Sequence, residues 1–159
     1  MANRTDPSAK QIHGMNPQFL LETILRNKIY TCFYWKEKCF ALTNETIIDA
    51  AVELKYVGGK LLFTRGTYGG NKQPSDFICL ILKLLQLQPD KEIVLEYLNN
   101  KDYKYLTALA AFYIRLTFKP ADVYTNLENI YSDFRKVRVR NPDGSYEVFY
   151  FELLDLKNG

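Results

Sequence analysis

Residues that dominate catalytic, metal-binding and secreted proteins are scarce in this sequence. Its only histidine is His13, and its three cysteines, Cys32, Cys39 and Cys79, form no Cys-x-x-Cys pair. Zinc sites need three or four converging Cys, His or carboxylate ligands, and acid–base catalysis most often uses histidine. We therefore predict no enzymatic activity, no cofactor and no metal site, and we assign structural roles to the cysteines.

Long apolar runs and a large net charge are also missing. The longest apolar runs, such as residues 77–82, are far shorter than the ~18–20 residues that span a bilayer. The net charge is +3, from 21 basic and 18 acidic residues, whereas proteins that depend on phosphate contacts concentrate positive charge. We expect a protein without a membrane span, in a reducing compartment, for which nucleic acid binding is permitted but not favoured.

What the chain does contain is the material for one core. Apolar residues make up 47% of its 159 residues and aromatic residues 14%, which is enough for a domain that buries most of its surface. The patterns predict a mainly α fold, a single compact helical domain of about six or seven helices at 15–156 with one β-hairpin near the C-terminus. We expect a flexible arm at 1–14 and a polar end at 157–159.

Apolar residues at three- and four-residue steps predict the first three helices. The first begins at Asn16-Pro17, because asparagine caps a helix and proline suits its first turn; its apolar face contains Leu20, Leu21, Ile24 and Leu25. The second is predicted through Ile29, Cys32, Phe33, Trp35, Cys39 and Phe40, with 36–38 toward solvent. The third opens at Thr43 or Asn44 and ends at 57–59.

Proline, serine and aspartate mark the later helices. Pro74-Ser75-Asp76 is a helix start, and the residues that follow at 77–87 are apolar on nearly every face, so this helix should be central. Pro89 ends it and Asp90 caps the next helix, while further helices are predicted to start at 101–102 and at Pro120. Five of the eight glycines lie at 58–74, which predicts a long loop, either functional or a surface insertion.

The period changes from 3.6 to 2 near the end of the chain. Val137 and Val139 alternate with arginines, a turn follows at 141–144, and Tyr146 and Val148 continue the alternation, so we predict a β-hairpin at about 137–150. Its basic residues are predicted to form a solvated face. The alternative is contact with nucleic acid phosphates, through Arg135, Lys136, Arg138 and Arg140. The tyrosines at helical spacings are assigned to core packing: Tyr103, Tyr105, Tyr113, Tyr124 and Tyr131.

Several stretches, in order, resemble the N-terminal domain of the pre-mRNA-splicing factor 38 family. The first half of the likeness comprises Ile12-His13-Gly14, Asn16-Pro17, Tyr34-Trp35-Lys36-Glu37, Cys39-Phe40, Glu53-Leu54 and Val57-Gly58-Gly59. The second half comprises Tyr68-Gly69-Gly70-Asn71, Phe77, Cys79-Leu80, Leu82-Lys83, Tyr113, Arg115-Leu116-Thr117, Tyr131, Asp133 and Arg135-Lys136. The likeness runs from Met1 to about Glu147.

The resemblance implies a non-enzymatic nuclear scaffold, a monomer within the tri-snRNP and the precatalytic spliceosome that is required for spliceosome activation. The partners that it implies are a microfibrillar-associated-protein-like splicing factor and a zinc-finger splicing protein. Two departures from the family pattern affect this transfer. Residues 60–67 stand where the family joins its glycine motifs almost directly, and the chain stops soon after 151–156, where the family usually continues into a further helix.

Aromatic and charged residues that lie together in the sequence are our candidates for partner binding, because such residues dominate interface energies. They are Tyr34, Trp35, Lys36, Glu37, Arg115, Tyr131, Asp133 and Arg135. Each has a purely structural alternative. Trp35 can belong to the core, Arg115 and Asp133 can form a buried ion pair, and 36–37 can be solvated surface.

Overall fold

The computed structural model of the protein describes residues 16–58, 74–140 and 145–150. Four sequence predictions fall elsewhere: the arm at 1–14, the glycine-rich loop after Gly58, the hairpin turn at 141–144 and the polar end. These parts of the chain lie outside the described residues. No helix of the described residues is long and apolar enough to cross a membrane.

Six α-helices and one antiparallel hairpin make up the regular structure of the described ranges, which confirms the predicted mainly α fold. The helices are α1 Thr23–Thr31, α2 Ile47–Val52, α3 Asp76–Leu87, α4 Lys91–Leu98, α5 Lys104–Thr117 and α6 Pro120–Leu127. Short 3-10 helices occupy Pro17–Leu20 and Glu128–Ser132, and a π-helix occupies Trp35–Cys39. The strands are β1 Lys136–Arg140 and β2 Tyr146–Tyr150.

Helix α3 is the centre of the fold, as its sequence predicts. The Ser75 hydroxyl accepts a hydrogen bond from the backbone N–H of Ile78 at 3.1 Å, which satisfies one of the free amides of the first turn. Every residue from Phe77 to Gln86 is buried, and the helix packs against α2 and α5. It ends where Gln88 adopts a left-handed conformation, with φ of 47°, immediately before Pro89, which cannot continue the helix.

Helix α5 is the second buried helix and pairs with α4 and α3. All residues from Tyr105 to Ile114 are buried, and helices α4 and α5 form the predicted helical hairpin. The predicted start at 101–102 is early by two to three residues. The Asn100 side-chain oxygen accepts hydrogen bonds from the amides of Asp102 and Tyr103 at 2.9 and 2.7 Å, and this turn delays the helix to Lys104.

The sequence predicts one continuous helix from Asn16-Pro17 onward, and this prediction is wrong. Asn16 does accept a hydrogen bond from the Gln18 amide at 3.0 Å, but the segment that it caps is a 3-10 turn of four residues. Leu21 then takes an extended conformation, and α1 begins only at Thr23. The break turns Leu21 and Leu25 inward while Ile24 stays 66% exposed, so the predicted apolar face does not form as one stripe.

The β-hairpin is confirmed, and a third extended segment borders it. In the hairpin register, Val139 faces Glu147, Arg138 faces Val148 and Arg140 faces Tyr146. On the other edge of β1, the Val57 amide donates to the Arg138 carbonyl at 2.9 Å, and the Arg140 amide donates to the Gly58 carbonyl at 2.8 Å. Gly58 has φ of 117°, a conformation that glycine adopts without steric cost.

Candidate protein-interaction surface

The segment before α2 contains the first group of candidate residues and an unusual backbone. Trp35–Cys39 is π-helical, and the Phe40 amide donates to the Trp35 carbonyl five residues back, at 3.1 Å. The predicted continuous helix from Ile29 to Phe40 is therefore wrong, because α1 ends at Thr31 and Cys32 is extended. Short π-helical turns are rare and occur frequently at functional sites.

The inward side of this segment belongs to the core. Trp35 is 1% exposed, and its ring meets the Tyr30 ring edge-on, with 5.7 Å between centroids. Cys39, four residues later, is fully buried. Tyr34 is half-buried, and burial raises the pKa of its hydroxyl. Trp35 therefore has the structural role that the sequence offered as the alternative to partner binding.

Lys83 of α3 forms a hydrogen bond with Phe40, the residue that ends the π-helical segment. Its side chain is only 7% exposed, and its Nζ donates to the Phe40 carbonyl at 3.1 Å. The same Nζ lies 5.9 Å from the centroid of the Trp35 ring, within the range of a cation–π interaction. Burial lowers the pKa of Lys83. Sequence reasoning missed this residue, although it is the single charge within the apolar run of α3.

The outward side of the same segment combines exposed aromatic and charged side chains. Phe33 is 77% exposed and Phe40 is 59% exposed, whereas the sequence pattern placed both in an apolar, inward face. Lys36 and Glu37 are also exposed, as predicted. We call Phe33, Lys36, Glu37 and Phe40 the aromatic face. Large exposed aromatics next to charged groups are typical of protein contact sites.

The second group of candidates centres on a salt bridge after α6. The Asp133 carboxylate accepts from the Arg135 Nε and Nη2 and from its backbone amide, with the shortest contact at 2.7 Å. Arg135 also donates to the Thr107 hydroxyl on α5 at 3.0 Å. Burial raises the pKa of Asp133, but the hydrogen bonds from Arg135 outweigh this effect and lower the pKa below its usual value.

This arrangement changes the interpretation of the second group. Asp133 pairs with Arg135 rather than with Arg115, which is half-buried on α5. The Tyr131 side chain lies outside the described part of the chain. A cavity of about 280 Å³ opens beside Asp133, between the α4–α5 turn and the second 3-10 helix, and its lining includes Asn99, Lys101, Asn126 and Asn129.

The two arginines of β1 stack on tyrosines. Arg138 and Arg140 share one face of the hairpin with Tyr146, and their guanidinium carbons lie 4.7 and 5.8 Å from the centroid of the Tyr146 ring. Arg138 Nε also donates to the Lys55 carbonyl at 2.8 Å, and Arg140 lies 5.7 Å from the Tyr56 ring. Valines 137 and 139 occupy the buried face.

These contacts bear on the two predictions made for the hairpin. The alternation of valine and arginine is confirmed, but the arginines are half-buried and engaged with neighbouring groups rather than fully solvated. Lys136 is exposed at the end of β1. Among the tyrosines assigned to the core, Tyr105 and Tyr113 are buried, whereas Tyr103 is 43% exposed and Tyr124 is 53% exposed.

Comparison with known proteins gives consistent results. The model of the PRP38 family matches residues 10–156, nine residues beyond the end of the likeness at Glu147. The chain is 53% identical over 152 residues to pre-mRNA-splicing factor 38 of Arabidopsis thaliana and 51% identical over 152 residues to that of Drosophila melanogaster, and each alignment covers 96% of this chain. These alignments cover 41% and 44% of the two relatives, so the chain spans less than half of their length.

A solved structure shows the same fold. The chain resembles one in the crystal structure of the Snu23-Prp38-MFAP1(217-258) complex of Chaetomium thermophilum, with a TM-score of 0.82 and 39% sequence identity. The match covers 94% of this chain and 76% of the other. The helical arrangement and the hairpin described above are therefore shared with an experimentally determined structure.

Proposed function

This chain belongs to the PRP38 family, and we propose on that basis that it is a non-enzymatic scaffold of the spliceosome that acts by binding other proteins. In this proposal the protein is nuclear and enters the tri-snRNP and the precatalytic spliceosome as a monomer, where it is required for activation. Among the described residues, no three His, Cys, Asp or Glu side chains are grouped so that they could hold a metal ion.

The observation that carries the proposal is the set of proteins that form a complex with the structural relative. That protein was crystallised together with Snu23 and a segment of MFAP1. These companions match the two partners implied by the sequence resemblance, a zinc-finger splicing protein and a microfibrillar-associated-protein-like factor. The equivalents of Snu23 and MFAP1 are therefore the partners that we propose for this chain.

The aromatic face is the surface that we propose for partner contact. Phe33 and Phe40 can serve as apolar anchors, and Lys36 and Glu37 can form the polar rim that surrounds such anchors in protein interfaces. Trp35 and Tyr34 hold the segment in place from the inner side. The salt bridge of Asp133 and Arg135 is a second candidate for contact, and Arg115 and Tyr131 remain candidates on the sequence alone.

Binding of purified components tests this proposal directly. The chain is mixed with the Snu23 equivalent, or with the segment equivalent to MFAP1(217-258), and analysed by size-exclusion chromatography. We expect co-elution with each partner. Replacing Phe33 and Phe40 together with alanine should abolish co-elution with at least one partner. The matched control replaces Tyr103 and Tyr124 with alanine, because these aromatics are also exposed but lie outside the aromatic face.

Direct binding to small nuclear RNA is the alternative, supported by the stacked arginines of β1. It predicts affinity that falls steeply with salt, because cations released from RNA favour binding at low salt. Titration of labelled small nuclear RNA at two salt concentrations separates the two functions. Tight, salt-sensitive RNA binding that is lost when Lys136, Arg138 and Arg140 are replaced with alanine, without partner binding, would replace the scaffold proposal.

The role in activation needs a functional assay. A splicing extract depleted of its endogenous splicing factor 38 is supplemented with this chain, and the assembled complexes are separated on native gels. We expect progress past the precatalytic stage with the natural chain and arrest at that stage with the variant that lacks both phenylalanines. If that variant restores activation fully, the aromatic face is not needed for this function.

A further inference from the structure

Two cysteines that are distant in the sequence meet beneath the π-helical segment. The Sγ atoms of Cys32 and Cys79 lie 3.7 Å apart, although 47 positions separate the two residues. Both are free thiols, as is the third cysteine, Cys39. The sequence assigns all three to structural roles, because Cys39 and Cys79 lie on apolar faces and the spacing of Cys32 and Cys39 repeats a helical face, and it gives no indication of this contact.

The two thiols differ in their access to solvent. Cys32 is only partly buried and lies at the extended junction after α1, with φ of −76° and ψ of 155°. Cys79 is fully buried in the first turn of α3, so a dissolved oxidant meets Cys32 first. Cys39 is fully buried as well.

The pKa values of the two thiols shift in opposite directions. The hydrogen bond with Cys79, together with the backbone amides of Trp35 and Tyr34, lowers the pKa of the Cys32 thiol, although burial raises it. The hydrogen bond with Cys32, followed by burial, raises the pKa of Cys79. Because a thiolate is the reactive form of cysteine, these shifts agree with the exposure of the two sulfurs, and Cys32 is the thiol that we expect to react first.

We propose that Cys32 and Cys79 are a redox modification site, at which a hydroperoxide converts the two thiols into a reversible intramolecular disulfide. In the first step the Cys32 thiolate attacks one peroxide oxygen. An S–O bond forms, the O–O bond breaks, and the leaving oxygen takes a proton and departs as water or as an alcohol. Cys32 becomes a sulfenic acid, oxidised by the two electrons that the peroxide accepts.

The neighbouring thiol completes the reaction. The Cys79 sulfur attacks the Cys32 sulfur, the S–S bond forms, the S–O bond breaks, and the hydroxyl leaves with the Cys79 proton as water. With hydrogen peroxide, two thiols and one peroxide give one disulfide and two waters. A cellular or added dithiol restores both thiols by thiol–disulfide exchange.

The geometry requires a modest movement. A disulfide brings the two sulfur atoms to about 2.05 Å, so the 3.7 Å separation must shorten. Cys79 is buried within α3, whereas Cys32 is partly exposed and extended at the junction after α1, so Cys32 is the residue that we expect to move. The product joins the segment that bears the aromatic face covalently to the central helix.

Thiol counting on the whole chain tests the proposal. The folded protein is treated with hydrogen peroxide, the remaining peroxide is removed, and the protein is denatured and alkylated with a maleimide before intact-mass analysis. We expect the number of alkylated thiols to fall from three to one, with the loss of two hydrogen atoms. A peptide map should then show a Cys32–Cys79 cross-link that dithiothreitol removes.

Cysteine variants show whether the disulfide joins Cys32 to Cys79 or involves Cys39. Cys39→Ala should fall from two alkylated thiols to none, whereas Cys79→Ala should form no intramolecular disulfide and should accumulate oxygen on Cys32. The peptide map of the unaltered chain decides the question even if Cys79→Ala does not fold. Sulfinic acid at Cys32 without a cross-link, a disulfide that contains Cys39, or a dimer linked through Cys32 would overturn the proposal.

Discussion

Replacement of Trp35 with alanine tests whether this residue supports the aromatic face or binds partners itself. The side chain is 1% exposed, and substitutions of a buried tryptophan or phenylalanine with alanine cost about 3–5 kcal/mol. The variant also loses the edge-on contact with Tyr30 and the interaction with Lys83. We therefore expect the free energy of unfolding to fall by about 4 kcal/mol, a large share of the ~5–15 kcal/mol of a typical domain.

The loss is measurable by urea and thermal unfolding. Far-UV circular dichroism is the appropriate signal, because the substitution removes the only tryptophan. A loss of about 4 kcal/mol corresponds to roughly 8–16 °C in Tm for a chain of this size. The matched control is Phe33→Ala, two residues away and 77% exposed, which should change the stability by no more than about 0.5 kcal/mol.

The test compares the loss of unfolding free energy in Trp35→Ala with that in Phe33→Ala. If Trp35→Ala loses less than about 1 kcal/mol, or if Phe33→Ala loses as much as Trp35→Ala, then the assignment of inner and outer sides to this segment is wrong. Any partner-binding defect of Trp35→Ala must be interpreted after its stability is known, since a partly unfolded chain loses binding for trivial reasons.

Two further predictions concern the backbone and the pH dependence of stability. Gly58→Ala should cost about 1–3 kcal/mol in urea unfolding, because φ of 117° is strained for alanine, whereas the exposed Lys55→Ala should cost little. Burial raises the pKa of Tyr97 to about 12, and its hydroxyl donates to the Asn44 carbonyl. The protonated Tyr97 hydroxyl therefore contributes fully to the free energy of unfolding below pH ~10, which is the pKa of tyrosine in the unfolded state. This contribution is lost as the pH rises toward 12. Tyr97→Phe should flatten the decline of stability over that range, and equal slopes for both proteins would contradict this assignment.

The sequence predicts the elements whose local signals agree with their burial. Helix α3 is the clearest case, since Ser75 caps it, its residues are apolar on nearly every face, and Pro89 follows its end. The hairpin is similar, because the alternation of β1 matches its buried and open faces. In both elements the pattern along the chain and the tertiary environment favour the same structure.

The segment around Trp35 shows why the rest is harder to predict. Phe33, Trp35 and Phe40 are all aromatic, so periodicity alone assigned them to one inward face, and the sequence holds no sign of the π-helical turn. Packing against α3 determines which side of this segment is buried. Lys83 of α3, which binds the Phe40 carbonyl, lies more than forty residues later in the chain. The contact of Cys32 with Cys79 depends on the same tertiary packing.

The pairing of 57–58 with β1 was unpredictable for a related reason. Its two backbone hydrogen bonds join positions about eighty residues apart, and the turn at Gly58 looks in the sequence like the start of the glycine-rich loop. The structural alternative for Arg115, an ion pair with Asp133, is also wrong, because Asp133 pairs with Arg135, two residues away, which reaches Thr107 on α5 as well. Long-range contacts of this kind leave little trace in local composition.

The dissociation constants of the Snu23 and MFAP1 equivalents, measured by isothermal titration calorimetry, test the central claim most directly. The proteins compared are the natural chain, the Phe33→Ala/Phe40→Ala variant and the Tyr103→Ala/Tyr124→Ala control. We predict that loss of both phenylalanines weakens binding of at least one partner by tenfold or more, equivalent to about 1.4 kcal/mol, with an unchanged Tm and an unaffected control. Unchanged affinity for both partners, or no binding by the natural chain, would contradict the account.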